Sequence, residues 1–455
     1  MLAALLLAAT CAAASPAARH ADDPLRPQLR YTPHYGWVND PNGLGYYKGE
    51  WHFFCQHNPY GVKWGNMSWN HAVSKDLLRW TELGDVLVPD ATGDMFSGSA
   101  VVDRAGDAGF GKDVQLLFYT AAGKPFTQRL AWSKDGRTYV KADGEPVLAN
   151  LSDGNRDPKV FYHAPSKQWV MALYGDERNR HAVWIFNSTD LRHWTKVSTL
   201  TGDVLKGEGQ GQWLYECPGL EELRIENETN TAWVVWGARH EYAVGSFDGR
   251  TFTPAEERIP GISGAGMPYY AAQTFNDVPD GRKLWVAWFR LPYRTGAMTC
   301  HSFSLIQELT LRRTAKGLRL VRRPARELQT LRDGAAVPFD SFDGELAEVQ
   351  VSCRVAQKGR LELDLRGMRL VYDAASETLS MAGASARWPL VDGRLALTVF
   401  IDRVAAEIFS VDGLQMLPVP NAFPSAANRR LAVADRTGVT DLDLLVYRLK
   451  SIWQN

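Results

Sequence analysis

Three acids set in turn-forming sequence are the residues of this chain best placed to do chemistry. Asp40 lies in Trp37-Val38-Asn39-Asp40-Pro41-Asn42-Gly43, Asp157 in Arg156-Asp157-Pro158, and Glu216 in Glu216-Cys217-Pro218. Taken singly these are ordinary turns, because Asn, Asp and Gly tolerate left-handed backbone and Pro fixes φ. The alternative is that the first turn aims Asp40 into a pocket, with Asn39 donating to a polar ligand and Trp37 walling it. Spacing decides between the two.

A repeat supplies the ruler. Ser-x-Asp, three further residues and an aromatic occur at Ser74/Asp76/Trp80, Ser133/Asp135/Tyr139, Ser188/Asp190/Trp194 and Ser246/Asp248/Phe252, the serines 59, 55 and 58 positions apart. One copy is a β-turn whose Asp bonds its own backbone. Four copies at near-constant spacing are a structural period, and about 57 residues hold four short strands with their turns, one propeller blade. Asp40 precedes its repeat serine by 34 residues, Asp157 by 31 and Glu216 by 30. Equivalent positions in different blades sit at equivalent radii, so on innermost strands the three acids converge at the mouth of the central axis. Carboxylates that meet there are costly unless they bind something or share protons.

The elements that would position them are strands. Runs such as Trp51-His52-Phe53-Phe54-Cys55 and Val114-Gln115-Leu116-Leu117-Phe118-Tyr119 are separated by turns such as Lys48-Gly49-Glu50, and no long amphipathic helix interrupts them. The expected class is all-β: a five-bladed β-propeller over residues 25–312, then a C-terminal β-sandwich over 336–455. The basic stretch from Arg312-Arg313 to Arg322-Arg323-Pro324 reads as the start of a linker over 313–335. Residues 1–18, an apolar Leu/Ala run ending in small residues, read as a signal peptide, which implies a secreted, extracellular or periplasmic protein.

Lys+Arg and Asp+Glu balance at 51 each, so no long-range field recruits nucleic acid or an anionic membrane; a neutral substrate fits best. Beyond the leader no apolar run reaches the ~20 residues of a membrane span. Cys55, Cys217, Cys300 and Cys353 are too few for a disulfide framework in a chain of 455 residues. His34, His52, His57 and His71 lack metal-ligand spacing, so neither a metal nor another cofactor is expected. Cys217 has no evident His partner and is not read as a nucleophile.

The ordered set of the three acid motifs resembles the signatures of glycoside hydrolase family 32, which contains invertases, inulinases and levanases. The resemblance extends to Trp64-Gly65-Asn66-Met67-Ser68-Trp69-Asn70-His71, Phe96-Ser97-Gly98-Ser99, Tyr270-Ala271-Ala272-Gln273-Thr274-Phe275 and Asp402-Arg403-Val404-Ala405-Ala406-Glu407-Ile408-Phe409, nearly the whole chain. It implies a five-bladed propeller joined to a β-sandwich, in agreement with the repeat. It also implies that Asp40 is the nucleophile toward C2 of a terminal β-fructofuranosyl unit, that Glu216 is the acid/base, and that Asp157 grips fructosyl hydroxyls. Asn39, Gln56, Trp64, Phe96, Ser97 and Arg156 would line the fructose subsite. The implied chemistry is double displacement with retention, for which the two reacting carboxyls lie about 5–5.5 Å apart. Asp40 has to stay ionised, a task for donors near Asn39 and Asn42.

The expected function is therefore a secreted exo-acting β-fructosidase releasing fructose from levan, inulin or sucrose, its partner a small or polymeric fructoside. The alternatives are a dedicated invertase, a fructosyltransferase, and a non-catalytic fructan-binding protein on the same scaffold. Monomer and homodimer are equally open.

Overall fold

The computed structural model describes residues 23–152, 154–178, 180–202, 213–255, 257–261, 267–423 and 427–453; the leader read over residues 1–18 lies outside the described residues. Among the described residues the regular structure is β-strand, with short 3-10 turns. Apolar runs rich in aromatic and β-branched residues fold into five antiparallel sheets in which each strand pairs with the next in sequence. Blade one is Gly36–Tyr47, Glu50–Asn58, Ser68–Ser74 and Trp80–Leu87. Its first strand is the innermost, as are Asp94–Asp103, Arg156–His163, Gly219–Arg224 and Tyr269–Thr274 in blades two to five. The five blades form a β-propeller.

Each Ser-x-Asp repeat is the turn between the third and fourth strands of blades one to four. Asp76 Oδ1 accepts the backbone N–H groups of Leu78 and Arg79 (3.0 and 2.8 Å) and the Ser74 hydroxyl (3.0 Å). Asp135 and Asp190 repeat this arrangement; in blade four Asp248 keeps the backbone part alone. The aromatic of each repeat opens or immediately precedes the outer strand, and Trp80 and Phe252 are buried. Apolar residues fill the spaces between neighbouring blades: Phe118, Leu173 and Trp184 between two and three, Val170, Leu220 and Val235 between three and four.

The ring closes on blade one. Thr299–Cys300 pairs in parallel with Gly36 and Trp37, the first residues of the strand that carries Asp40. Blade five is completed by Gln307–Thr314 and Gly317–Pro324, so the stretch expected to begin a linker at residue 313 is a strand pair. Its charges misled the reading of composition: Arg312 and Arg323 pair with Glu226, and Arg313 with Glu228, of the blade-four hairpin.

The C-terminal sheets grow from two long strands, Ala347–Leu365 and Leu431–Arg448, paired along their length. A register break between Val355 and Arg360, beside Gly359 and Gly438, divides the pair. One half carries Arg394–Ile401, Ala406–Ser410 and Met416–Val419; the other carries Met368–Asp373, Thr378–Met381 and Ala384–Arg387. A single core, including Val349, Leu363, Tyr372, Trp388 and Ile408, lies between them as in a β-sandwich.

A strap before blade one ties the two parts together. Arg30, fully buried, meets Asp402 at 3.0 Å and Glu407 at 2.9 Å. Asp402 also accepts the N–H groups of Gln28 and Leu29, and Glu407 that of Leu305 in blade five.

Candidate active site

The inner strands break their ladders at one level. Each has one extra residue there: at Asn39–Asp40 in blade one, at Ser97 in blade two, at Asp157–Pro158 in blade three and at Ala271–Ala272 in blade five. A bulge leaves a residue unpaired and re-aims its side chain. In blade four the strand starts late, and Glu216 and Cys217 precede it. Asp157, Glu216, Cys217 and Ala271 take φ of 64, 57, 44 and 51°. Left-handed backbone at a non-glycine residue costs roughly 1–3 kcal/mol, and here it recurs around one point.

That point is where Asp40, Asp157 and Glu216 meet. Asp40 Oδ2 accepts the Ser97 hydroxyl at 2.6 Å, and Oδ1 accepts Asn39 Nδ2 at 3.1 Å. Trp37 Nε1 donates to Asn39 Oδ1 at 2.9 Å and fixes which end of that amide faces the acid. Burial raises the Asp40 carboxyl above the ordinary range, and the bonds from Ser97 and Asn39 oppose the rise.

Asp157 is buried, and its Oδ2 accepts the Cys217 backbone N–H at 2.9 Å. The Cys217 thiol lies between two acids, 3.4 Å from Asp157 Oδ2 and 3.5 Å from Asp40 Oδ2. Burial drives that thiol well up, so it serves as a donor and not as a thiolate. Burial lifts Asp157 to about 7; the Arg156 guanidinium pulls it down, while the Asp40 and Glu216 carboxylates push it up.

Glu216 has a different setting. Its Oε1 accepts Arg156 Nη2 at 2.8 Å and its Oε2 accepts the Tyr270 hydroxyl at 2.6 Å. Arg156 is held between the Tyr174 and Tyr215 rings, 4.6 and 5.4 Å from their centroids. Asp40 is thus held by neutral donors and Glu216 by a cation and a phenol.

The other expected residues fall around this cluster. Gln56 is buried and directed inward, donating to the Met95 carbonyl at 2.8 Å, while its strand neighbour Cys55 packs into the core. Asn42 does not reach Asp40; with its amide turned to satisfy both ends, it donates to Ser97 Oγ (3.3 Å) and accepts from Gln56 Nε2 (2.9 Å). Trp64 is no core aromatic: it is 57% exposed and meets Phe96 edge-on, ring centroids 6.0 Å apart. Asn39, Ser97 and Arg156 hold the acids themselves. Residue types and spacing singled out neither Tyr270 nor Cys217 as a support for the acids, although both lie in the family-like motifs; their reach depends on left-handed backbone that no residue type announces. Among the described residues no group of three or more His, Cys, Asp and Glu is placed to hold a metal ion.

Residues 30–324 match the model of the glycosyl hydrolases family 32 N-terminal domain. The chain is 33% identical over 512 residues to a levanase of Bacillus subtilis (strain 168), covering 99% of this chain and 74% of that protein. It is 29% identical over 530 residues to an extracellular exo-inulinase of Aspergillus awamori, covering 95% of this chain and 96% of that one. The crystal structure of an exo-inulinase from Aspergillus awamori superimposes with a TM-score of 0.84 at 26% identity, over 95% of this chain and 99% of that chain.

Proposed function

Because the chain belongs to glycosyl hydrolase family 32, we propose that Asp40, Glu216 and Asp157 share the hydrolysis of a terminal β-fructofuranosyl bond. The protein is a glycoside hydrolase acting on fructosides, a β-fructofuranosidase for fructans and sucrose. Asp40 attacks C2 as the bond from C2 to the leaving oxygen breaks, and Glu216 gives that oxygen its proton. Water then attacks C2 of the fructosyl ester, Glu216 takes the water proton, and Asp40 leaves as carboxylate with fructose released in the retained configuration. Asp157 does not react. It accepts fructosyl hydroxyls, and as positive charge grows on the ring its interaction strengthens.

The observation that carries this reading is the unequal surroundings of Asp40 and Glu216. Neutral donors from Ser97 and Asn39 suit a carboxylate that attacks. Arg156 and Tyr270 donate to the two oxygens of the second carboxyl and fix its orientation. Asn39, Gln56, Ser97 and Arg156 shape the fructosyl pocket, and Trp64 and Phe96 form its wall. We read the preferred substrates as fructans, supported by the alignment with a levanase along almost the whole chain. We also read the protein as secreted, supported by the apolar leader and by the extracellular relative.

Chromatography of the products from levan, inulin and sucrose, run beside Asp40→Asn, tests the reading. Fructose should be the sole early product, released faster from the fructans, and the variant should lose about four orders of magnitude in kcat. Cleavage of sucrose alone would make the protein an invertase, and growing oligosaccharides a transferase. Binding of fructan with no release by the unmodified protein would overturn the enzymatic reading.

A further inference from the structure

The second strand of blade five, Lys283–Phe289, ends at the cleft, and Arg290 follows it. The Arg290 guanidinium lies over two rings, 4.3 Å from the Tyr270 centroid and 4.6 Å from that of Trp288. Tyr270 is the residue that donates to Glu216 Oε2. Stacking fixes the plane of the guanidinium beside the acid. Yet among the described residues it makes neither an ion pair nor a hydrogen bond, and its Nε is shielded from solvent without a partner.

Two further donors at the same place are in the same condition. Arg239, just past the blade-four strand Thr231–Trp236, is near enough for its charge to act on Arg290, and its Nε is also buried and unpartnered. Trp288 Nε1, beneath Arg290, is the third. Polar hydrogens withdrawn from water without a protein partner, and guanidinium charges near enough to repel, are each unfavourable; an electron-rich ligand would relieve both. An anion would lie beside the Asp40 and Glu216 carboxylates, whose charges already reach Arg290. Neutral hydroxyl oxygens escape that repulsion, and a planar guanidinium can donate to two neighbouring ones at once.

We propose that Arg290, assisted by Arg239, binds the leaving-group sugar, the saccharide whose oxygen Glu216 protonates. This rests on the reading of Glu216 as the acid. Tyr270 then has two tasks, holding Glu216 through its hydroxyl and Arg290 through its ring, so the acid and the sugar it serves are positioned by one side chain. The position is specificity-determining: it acts on substrates that carry hydroxyls beyond the fructosyl unit.

The test compares Arg290→Met and Arg290→Lys on sucrose, inulin, levan and an aryl β-fructofuranoside, whose leaving group has no sugar hydroxyls. Release of fructose from the aryl substrate by the unmodified enzyme checks the underlying function reading separately, and in the variants it checks folding. Arg290→Met should lower kcat/KM on the saccharides about 10- to 100-fold more than on the aryl fructoside, mainly through KM, with Arg290→Lys between. Inhibition by free fructose should shift less than twofold in both. An equal loss on aryl and saccharide substrates would overturn the assignment and leave the acids untouched. Competitive inhibition by inorganic phosphate that vanishes in Arg290→Met would mark an anion site and overturn it as well.

Discussion

At the scale of single residues, the cleft floor is a problem in distributing protons among three acids. Asp157 is held above the ordinary carboxyl range because it is buried against Cys217 and faces Asp40 and Glu216, with Arg156 only partly compensating. Its carboxyl rises from 3.8 to about 7 on folding, so the folded protein binds the proton more tightly than the unfolded chain. The penalty is absent below the unfolded value, grows as pH rises between the two, and is complete above pH 7. Asp157→Asn should therefore gain stability relative to the unmodified protein between pH 4 and pH 7, with a plateau above. The gain is ~4 kcal/mol for an isolated site, and less where the acids titrate together. Urea unfolding of both proteins across that range reads it directly; a difference independent of pH would rule out the Asp157 proton as its source. The convergence of these acids was legible in the sequence, since Asp40, Asp157 and Glu216 stand at matching distances from a structural repeat. Arg290 was not, because an arginine gives no sign in sequence of lacking a partner.

At the scale of the element, bulges separate an inner strand that only pairs from one that presents chemistry. Pro41 and Pro158 fit there, where the ladder is already interrupted and a missing N–H costs little. Blade two shows how little room the device leaves. A Cβ on Gly98 would come within 1.8 Å of the Phe118 carbonyl oxygen, which is backbone and has no free direction in which to move. Gly98→Ala must open the pairing between the first two strands of that blade and displace Ser97 from Asp40. We expect a loss of about 3 kcal/mol or more in stability and of at least ~100-fold in kcat. Denaturation and steady-state assays on the purified variant would measure both; near-normal values would mean that Ser97 is placed by something other than the bulge. The strands themselves could be read from alternation and turns. The bulges could not, because one extra residue on one side of a ladder changes no composition. The basic stretch at 312–324 misled for the opposite reason: its arginines resemble a solvated linker until Glu226 and Glu228 are seen beside them.

At the scale of the whole molecule, two folding units are joined through buried charge. Arg30 comes from the strap, Asp402 and Glu407 from the sandwich, and the backbone N–H of Leu305 from blade five. Removal of one member leaves the others buried without compensation, which costs about 3–5 kcal/mol. Arg30→Ala should lose that much and, in calorimetry, resolve propeller and sandwich into two transitions; a single unshifted transition would show that apolar packing alone couples them. The ring closure carries a further consequence. The strand that bears Asp40 begins at the two residues, Gly36 and Trp37, on which Thr299 and Cys300 clasp the circle shut. Whatever first loosens that clasp also tilts Asp40, so activity and circular integrity fail together while four blades and the sandwich stay assembled. On heating, then, the molecule should stop working before it melts, and its useful lifetime should follow the durability of this seam, where Asn276 also pairs with Leu44 and Tyr46, more closely than the stability of the other blades.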